Sequence, residues 1–489
     1  MIFLILSAGF LLRGLMLFSQ KSLWGDEFFS VDLATKPFRE VLAGSFQDVH
    51  PPLYFATLHT AIRCFGPEEW AFRLVSFLAS CGTLVVIYYL GKAFHSKQSA
   101  LYAAALAAVS PYWLQSSNEI RGYSLLALFS SLTILFFVKA MAESKKIVWK
   151  VGYLIFAVAL VYTEHYGWFV LLATSTVLWM YRKNTEVRKF FSIQAVLFLF
   201  SSASLVIVAY QAVFREHVFQ VYRIREYLSL SILIKKIAGT LWHLSNGYSF
   251  SMLTMERIQH YIRGSGLFWF SALSAFCATG LLCLGFRRLY RDNRAAFVLA
   301  QMIFCFSAVF LLLFYSIRFD ARYFSFAAPL FFVLIGMGLT SIEKTLFRAT
   351  LFAVLMTTAL IGSFQTIFSR TDPIHKEDYR GLIATVFQKT TGKDAICGLS
   401  RQVFYYRDKL GPLPPVVFVP EVKDLSIETT RGVRRIWVMD IVNMHPGVSR
   451  KIFEEKKIIM AGLGFHAVGD PDKFGGEESL LAVYLFERQ

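Results

Sequence analysis

The chain is short of cysteine, asparagine and acidic residues, and each shortage narrows what it can be. Its six cysteines in 489 residues, Cys64, Cys81, Cys277, Cys283, Cys305 and Cys397, form no C-x-x-C pair and lie mostly in or beside apolar runs. Neither a zinc knuckle nor a disulfide framework is implied. Five asparagines supply no N-x-[ST] sequon, a weak lean towards a bacterial chain. The opening apolar run, residues 2–18, has no basic leader and no small-residue cleavage site, and it holds Arg13. It therefore reads as a retained span rather than a signal peptide. Acids number 33 against 50 lysines and arginines, a net charge of +17. Many of those basic residues fall in short loops between apolar runs, and they build no basic face or binding motif, so nucleic acid is excluded as a partner.

What is abundant is apolar. Hydrophobic residues make up 56% of the chain, phenylalanine alone counts 49, and the mean hydropathy is +0.50. No soluble core absorbs that much apolar surface, so the fold class is a polytopic α-helical membrane protein. About eleven segments are long enough to cross a bilayer: 1–18, 71–91, 98–114, 122–140, 148–164, 166–181, 191–213, 266–286, 296–316, 323–341 and 349–368. With the N-terminus inside, the loops 92–97, 141–147, 182–190, 287–295 and 342–348 carry fourteen lysines and arginines. The short loops opposite hold only Arg121, Arg318 and Arg322. That asymmetry predicts an extracytoplasmic C-terminus, and it places the long loops 19–70 and 214–265 on the same outer side.

The first long loop carries helical signals. Phe38, Val41, Leu42 and Phe46 recur at amphipathic spacing, which suits an interfacial helix in contact with membrane lipids. Pro51-Pro52 then opens a second helix from Leu53 to Phe65. From about residue 369 the chain turns polar. Apolar strands at Ala395–Gly398, Val416–Val419, Ile436–Met439 and Leu481–Phe486 alternate with helices at Tyr379–Gln388 and Ser449–Lys456. Residues 1–368 therefore read as the transmembrane domain and 369–489 as a small extracytoplasmic α/β domain. The latter shows no Gly-rich phosphate loop and no nucleophile elbow, and no chemistry is assigned to it.

Polar residues that carry chemistry converge on the outward face. They are Asp26-Glu27 in Trp24-Gly25-Asp26-Glu27-Phe28-Phe29-Ser30, Asp48 with His50, Asn118-Glu119-Ile120-Arg121-Gly122-Tyr123, Glu164-His165-Tyr166 and Asp320-Ala321-Arg322-Tyr323. Carboxylates beside a membrane span are costly to desolvate and point to a site. Carboxylates can act as bases and guanidinium forks grip phosphate oxygens, the mixture that chemistry on a lipid-linked anion uses. Simpler readings exist for each group: Asp26 and Glu27 as acids at a helix N-terminus, Arg121 as a residue snorkelling to the interface, His165 and Tyr166 as part of an aromatic belt.

The pieces WGDEFFS, DVHPPLYF, SPYWLQSSNEIRGYSLLAL, YTEHYGWFVLL and ARYFSFAAPLFFVL occur in order over roughly the first 340 residues. Together they resemble the family 39 glycosyltransferases of the GT-C superfamily, which include protein O-mannosyltransferases and aminoarabinose lipid A transferases. The resemblance implies sugar transfer from a polyprenyl-phosphate donor to an extracytoplasmic lipid, glycan or protein acceptor, with inversion at the anomeric carbon. Asp26 occupies the position of the family's essential acid, and Glu27 would orient it or bind acceptor. Asp48, His50, Glu119, Arg121, Tyr123, His165, Tyr166, Arg322 and Tyr323 would line the substrate site, with Arg121 and Arg322 at the donor phosphate. No cofactor is required on this reading, although Asp26, Glu27, Asp48 and His50 are donors that suit a divalent metal ion. The location implied is a bacterial inner membrane. The competing class is a transporter or flippase of a lipid-linked saccharide, which would more naturally place its acids at midplane on broken helices.

Overall fold

The computed structural model describes every residue except 20, 49, 189, 215–229, 248–265, 314–319, 369–377, 411–415, 443–445, 470–471, 475–479 and 489. Arg318 and much of the loop 214–265 thus lie outside the described residues. The chain divides into two compact units. One comprises Met1–Ser19 and Ser30–Ile367, the other Gln20–Phe29 and Phe368–Gln489.

Long apolar runs dictate the first unit. Glu69–Phe94, Tyr123–Ala142, Phe190–Ile207, Phe268–Asp292 and Thr345–Phe368 are long and apolar enough to cross a membrane. Ile2–Leu17, Ile147–Thr163, Gly167–Met180, Arg294–Ala308 and Ala328–Thr340 are shorter apolar helices. The helix Ala328–Thr340 is buried from Ala328 through Leu339, and such all-round burial matches its unbroken apolar sequence. Two of its glycines make that packing close. A Cβ on Gly336 would stand 2.3 Å from the Ser99 carbonyl oxygen, and one on Gly338 2.1 Å from that of Leu281.

Two predicted spans differ from the helices observed. Residues 98–114 do not form one helix: Lys97–Ala108 ends, and Pro111–Asn118 begins with Pro111 in its first turn. Proline has no N–H to continue the ladder, so the carbonyls before it need other partners. Arg13 provides them. It is buried, and its guanidinium donates to the carbonyls of Ala108 at 3.0 Å, Ala107 at 3.1 Å and Gly9 at 2.9 Å, and to Ser80 Oγ at 2.8 Å. The second difference is at 323–341. There a 3-10 turn, Ala321–Phe324, precedes the helix that starts at Ala328. Asp320 caps the turn by accepting from the Arg322 N–H at 3.0 Å.

In the first long loop the helices are Gly25–Thr35, Phe38–Gln47 and Pro52–Phe65. Val41 and Leu58 are buried, whereas Phe38 and Phe46 stay exposed. His59 Nδ1 lies 2.8 Å from the Ala34 carbonyl and ties two of these helices together.

The second unit contains a mixed sheet of β1 (Asp394–Cys397), β2 (Val417–Val419), β3 (Arg435–Val442), β4 (Phe465–Ala467), β5 (Asp472–Phe474) and β6 (Leu480–Arg488). Its order is β2-β1-β3-β6-β4, with β5 also on β6. β2, β1 and β3 run parallel; β6 is antiparallel to β3, with Trp437 opposite Leu485. Ala395, Cys397, Ile436, Val438, Tyr484 and Phe486 build its core. Burial pushes the Cys397 thiol up to about 12, so it behaves as a small apolar residue. At the edge of that core Asp394 accepts from Arg435 Nε at 3.0 Å, Arg435 Nη2 at 2.7 Å, Trp437 Nε1 at 3.2 Å and the Thr391 N–H at 2.9 Å.

Candidate functional site

Polar side chains of the first unit gather where its helices end. Glu119 follows Pro111–Asn118, Arg121 and Gly122 precede Tyr123–Ala142, Glu164 follows Ile147–Thr163, and His50 precedes Pro52–Phe65. Helix ends break the backbone ladder and turn the chain, so residues far apart in sequence can meet there. Two networks result.

The first runs Glu164–His50–Arg121. His50 Nδ1 lies 2.9 Å from Glu164 Oε2, and Arg121 Nη2 meets His50 Nε2. A guanidinium only donates. Nε2 therefore accepts, Nδ1 carries the hydrogen, and the carboxylate of Glu164 fixes that tautomer. Arg121 also donates from Nη1 to Ser30 Oγ at 3.2 Å, while its carbonyl and that of Glu119 both face the Ser76 hydroxyl. Gly122 matters to this network through its size. A Cβ there would stand 2.8 Å from Glu164 Oε1 and 3.5 Å from Tyr54 Cβ.

Arg322 centres the second network. Nη1 donates to Glu119 Oε1, and Nε donates to Asp320 Oδ2 at 2.7 Å. Glu119 is only 1% exposed, so its pair with this guanidinium is a buried one. Its other oxygen, Oε2, is buried and has no hydrogen-bond partner among the described residues. The Arg322 guanidinium also sits 5.4 Å from the centre of the Tyr123 ring, a cation–π contact. Tyr323 lies 6.1 Å from Tyr123 and stacks on Tyr166 at 5.5 Å. Tyr112 supports the turn beneath them through a 2.9 Å bond to Ser325 Oγ.

Of the residues singled out in sequence, the structure thus joins His50 to Arg121, and Glu119 to Arg322, Tyr123, Tyr323 and Tyr166. Asp48 closes the helix Phe38–Gln47. Half-buried His165 opens the turn into Gly167–Met180, its carbonyl accepting from Trp168. Glu164 and Asp320 stand in the sequence clusters, but nothing in the sequence assigns either a role. A carboxylate at the end of an apolar helix was the available signal for Glu164. Ser30 and Ser76 carried no signal at all.

Asp26 and Glu27 belong to the second unit and occupy the first turn of Gly25–Thr35. Their environments differ. Glu27 is buried, and its Oε2 accepts from the Trp24 N–H at 3.3 Å. That is the return half of a capping box and fixes where the helix starts. Asp26 is half-buried, the more accessible of the pair.

Among the described residues no group of three or more His, Cys, Asp and Glu side chains is arranged to hold a metal ion.

The family model for dolichyl-phosphate-mannose-protein mannosyltransferases matches residues 49–208, about a third of the chain, which include His50, Glu119, Arg121, Tyr123 and Glu164. No curated protein matches in sequence. Among solved structures, ArnT from Cupriavidus metallidurans in the apo state is similar at a TM-score of 0.58 and 13% identity, over 99% of this chain and 97% of that one. ArnT bound to undecaprenyl phosphate is similar at 0.55 and 12% identity, over the same shares. The oligosaccharyltransferase from Archaeoglobus fulgidus in complex with Zn and sulfate is similar at 0.50 and 12% identity, over 97% of this chain and 73% of that one. The chain thus shares its fold with ArnT and the oligosaccharyltransferase, and residues 49–208 match the mannosyltransferase family model, in keeping with the family 39 glycosyltransferases that its motifs resemble.

Proposed function

We propose that the protein moves a sugar from a polyprenyl-phosphate donor to an acceptor hydroxyl or phosphate on the extracytoplasmic face, inverting the anomeric carbon. The observation that carries this reading is the pair of guanidinium-centred networks, one of which has its Glu164–His50–Arg121 chain inside the segment matched by the mannosyltransferase family. The ArnT structure that holds undecaprenyl phosphate supports a polyprenyl phosphate as the donor's lipid. The sidedness rests on the lysine and arginine asymmetry of the loops.

On this reading Asp26 is the base. Its carboxylate takes the proton of the acceptor hydroxyl as that oxygen bonds to the anomeric carbon. The bond from that carbon to the phosphate oxygen breaks with its electron pair leaving on the phosphate. Arg121 and Arg322 meet the negative charge left on the polyprenyl phosphate, a role that favours the transition state because charge grows there. Glu119 Oε2 would accept from a hydroxyl of the donor sugar. Tyr123, Tyr166 and Tyr323 give that sugar a flat wall, and Asp48 and His165 are assigned to the pocket's rim. Glu27 holds the helix turn that bears Asp26.

Reconstitution in liposomes with radiolabelled mannosyl and aminoarabinosyl undecaprenyl phosphates tests the reading. One undecaprenyl phosphate released per sugar transferred is the expected result. Movement of the intact labelled lipid across the bilayer with no release would instead make the protein a transporter.

A further inference from the structure

The C-terminal α/β unit carries no sequence motif that gives it a role. Yet the short segment Gln20–Phe29, from the other end of the chain, is part of that unit's fold. Two attachments hold it. Before the acidic pair, the Leu23 N–H donates to Tyr406 Oη at 2.8 Å, and Ser22 Oγ accepts from the Arg380 N–H at 3.1 Å while lying 3.3 Å from the same Tyr406 hydroxyl. After the pair, the Phe28 ring is enclosed edge-on by Tyr405 at 5.3 Å, Tyr379 at 5.5 Å and Tyr406 at 6.0 Å. Leu23, Tyr379 and Tyr406 are all 0% exposed. Asp26 and Glu27 lie between the two attachments, on a first turn whose start is fixed by Glu27 and Trp24.

We propose that the C-terminal unit is a positioning frame for the acidic turn, with Tyr406 as its central positioning residue. Tyr406 serves both attachments, its hydroxyl before the pair and its ring after it. Fixing a short segment at two points removes both sliding and rotation of the turn between them. A base must be held within a fraction of an ångström of its productive place, and a misplacement of about 1 Å costs about a hundredfold in rate. The inference rests on Asp26 being the base.

The test uses the full-length protein with Tyr406→Phe, which keeps the ring and deletes the hydroxyl, and Ser22→Ala, which cuts the second bond. Three readouts apply: amide hydrogen exchange across residues 21–29, kcat and KM with the labelled undecaprenyl-phosphate sugar, and binding of undecaprenyl phosphate alone. In Tyr406→Phe, exchange at Leu23 is expected to speed up at least about tenfold, since its buried acceptor is gone. kcat should fall about tenfold or more, with donor KM and undecaprenyl phosphate binding unchanged. In an Asp26→Asn background Tyr406→Phe should lower the residual rate no further. Unchanged exchange in both variants, or unchanged kcat in Tyr406→Phe beside an inactive Asp26→Asn, overturns the positioning role alone. Full turnover in Asp26→Asn overturns the reading of Asp26, and the frame's catalytic purpose with it.

Discussion

Replacing Arg322 with methionine tests whether the Arg322 network is an electrostatic unit or merely well-packed structure. Methionine keeps much of the volume and removes the charge. Glu119, 1% exposed, would then lose the guanidinium at Oε1, while Oε2 already has no hydrogen-bond partner among the described residues. Asp320 would lose its 2.7 Å partner as well. Breaking a buried pair from one side costs about 3–5 kcal/mol, because the remaining charge stays buried. Neutralising that charge should return part of the loss. Glu119→Gln combined with Arg322→Met is therefore expected to be more stable than the sum of the single variants by about 2 kcal/mol. Unfolding in mixed micelles, followed by tryptophan fluorescence for all four members of the cycle, measures that coupling. Additive losses, with a coupling within about 0.5 kcal/mol of zero, would refute the argument.

Two further outcomes are expected. Glu164→Ala removes the acceptor for the His50 Nδ1–H and should cost about 1–3 kcal/mol and raise donor KM, whereas Glu164→Gln should stay closer to wild type; Gly122→Ala, whose Cβ would press on Glu164 Oε1 at 2.8 Å, should reproduce the KM change with little loss of stability, and equal kinetics in all three would separate Glu164 from Arg121. In the C-terminal unit, burial alone would raise the Asp394 carboxyl, but the bonds from Arg435, Thr391 and Trp437 carry it below its ordinary value. Its contribution is thus present above about pH 4, the usual carboxylate range, and is lost as pH falls through the lowered value. The Trp437 resonance in fluorotryptophan-labelled protein should report that acid loss in wild type and lack it in Asp394→Asn, which is less stable at neutral pH.

Much of the architecture was legible because apolar runs of bilayer length leave little choice. The helices Ile2–Leu17, Glu69–Phe94 and Thr345–Phe368 fall where hydropathy puts them. Apolar content alone makes 98–114 one span, and Pro111 is the residue at which the chain starts a second helix instead. The helix Ser400–Leu410 was invisible for a different reason. Its charged, aromatic sequence buries few side chains, Val403 and Tyr406 among them, so no stripe stands out. The site's residue types could be read, and their pairing could not. His50 and Glu164 are 114 positions apart, Arg322 and Glu119 203, and spacing says nothing about contacts made by packing. The same holds for Leu23 and Tyr406, separated by 383 positions.

The most direct test of the account is transfer from a labelled undecaprenyl-phosphate sugar by wild type and Asp26→Asn, alongside their binding of undecaprenyl phosphate. The amide keeps the size of the carboxylate and its capacity to hydrogen-bond, but it cannot take the acceptor's proton at useful rates. The account predicts a loss of turnover of at least about a thousandfold, in the range expected for removing a general base, in a variant that folds and binds the lipid as wild type does. Full turnover by Asp26→Asn would contradict it.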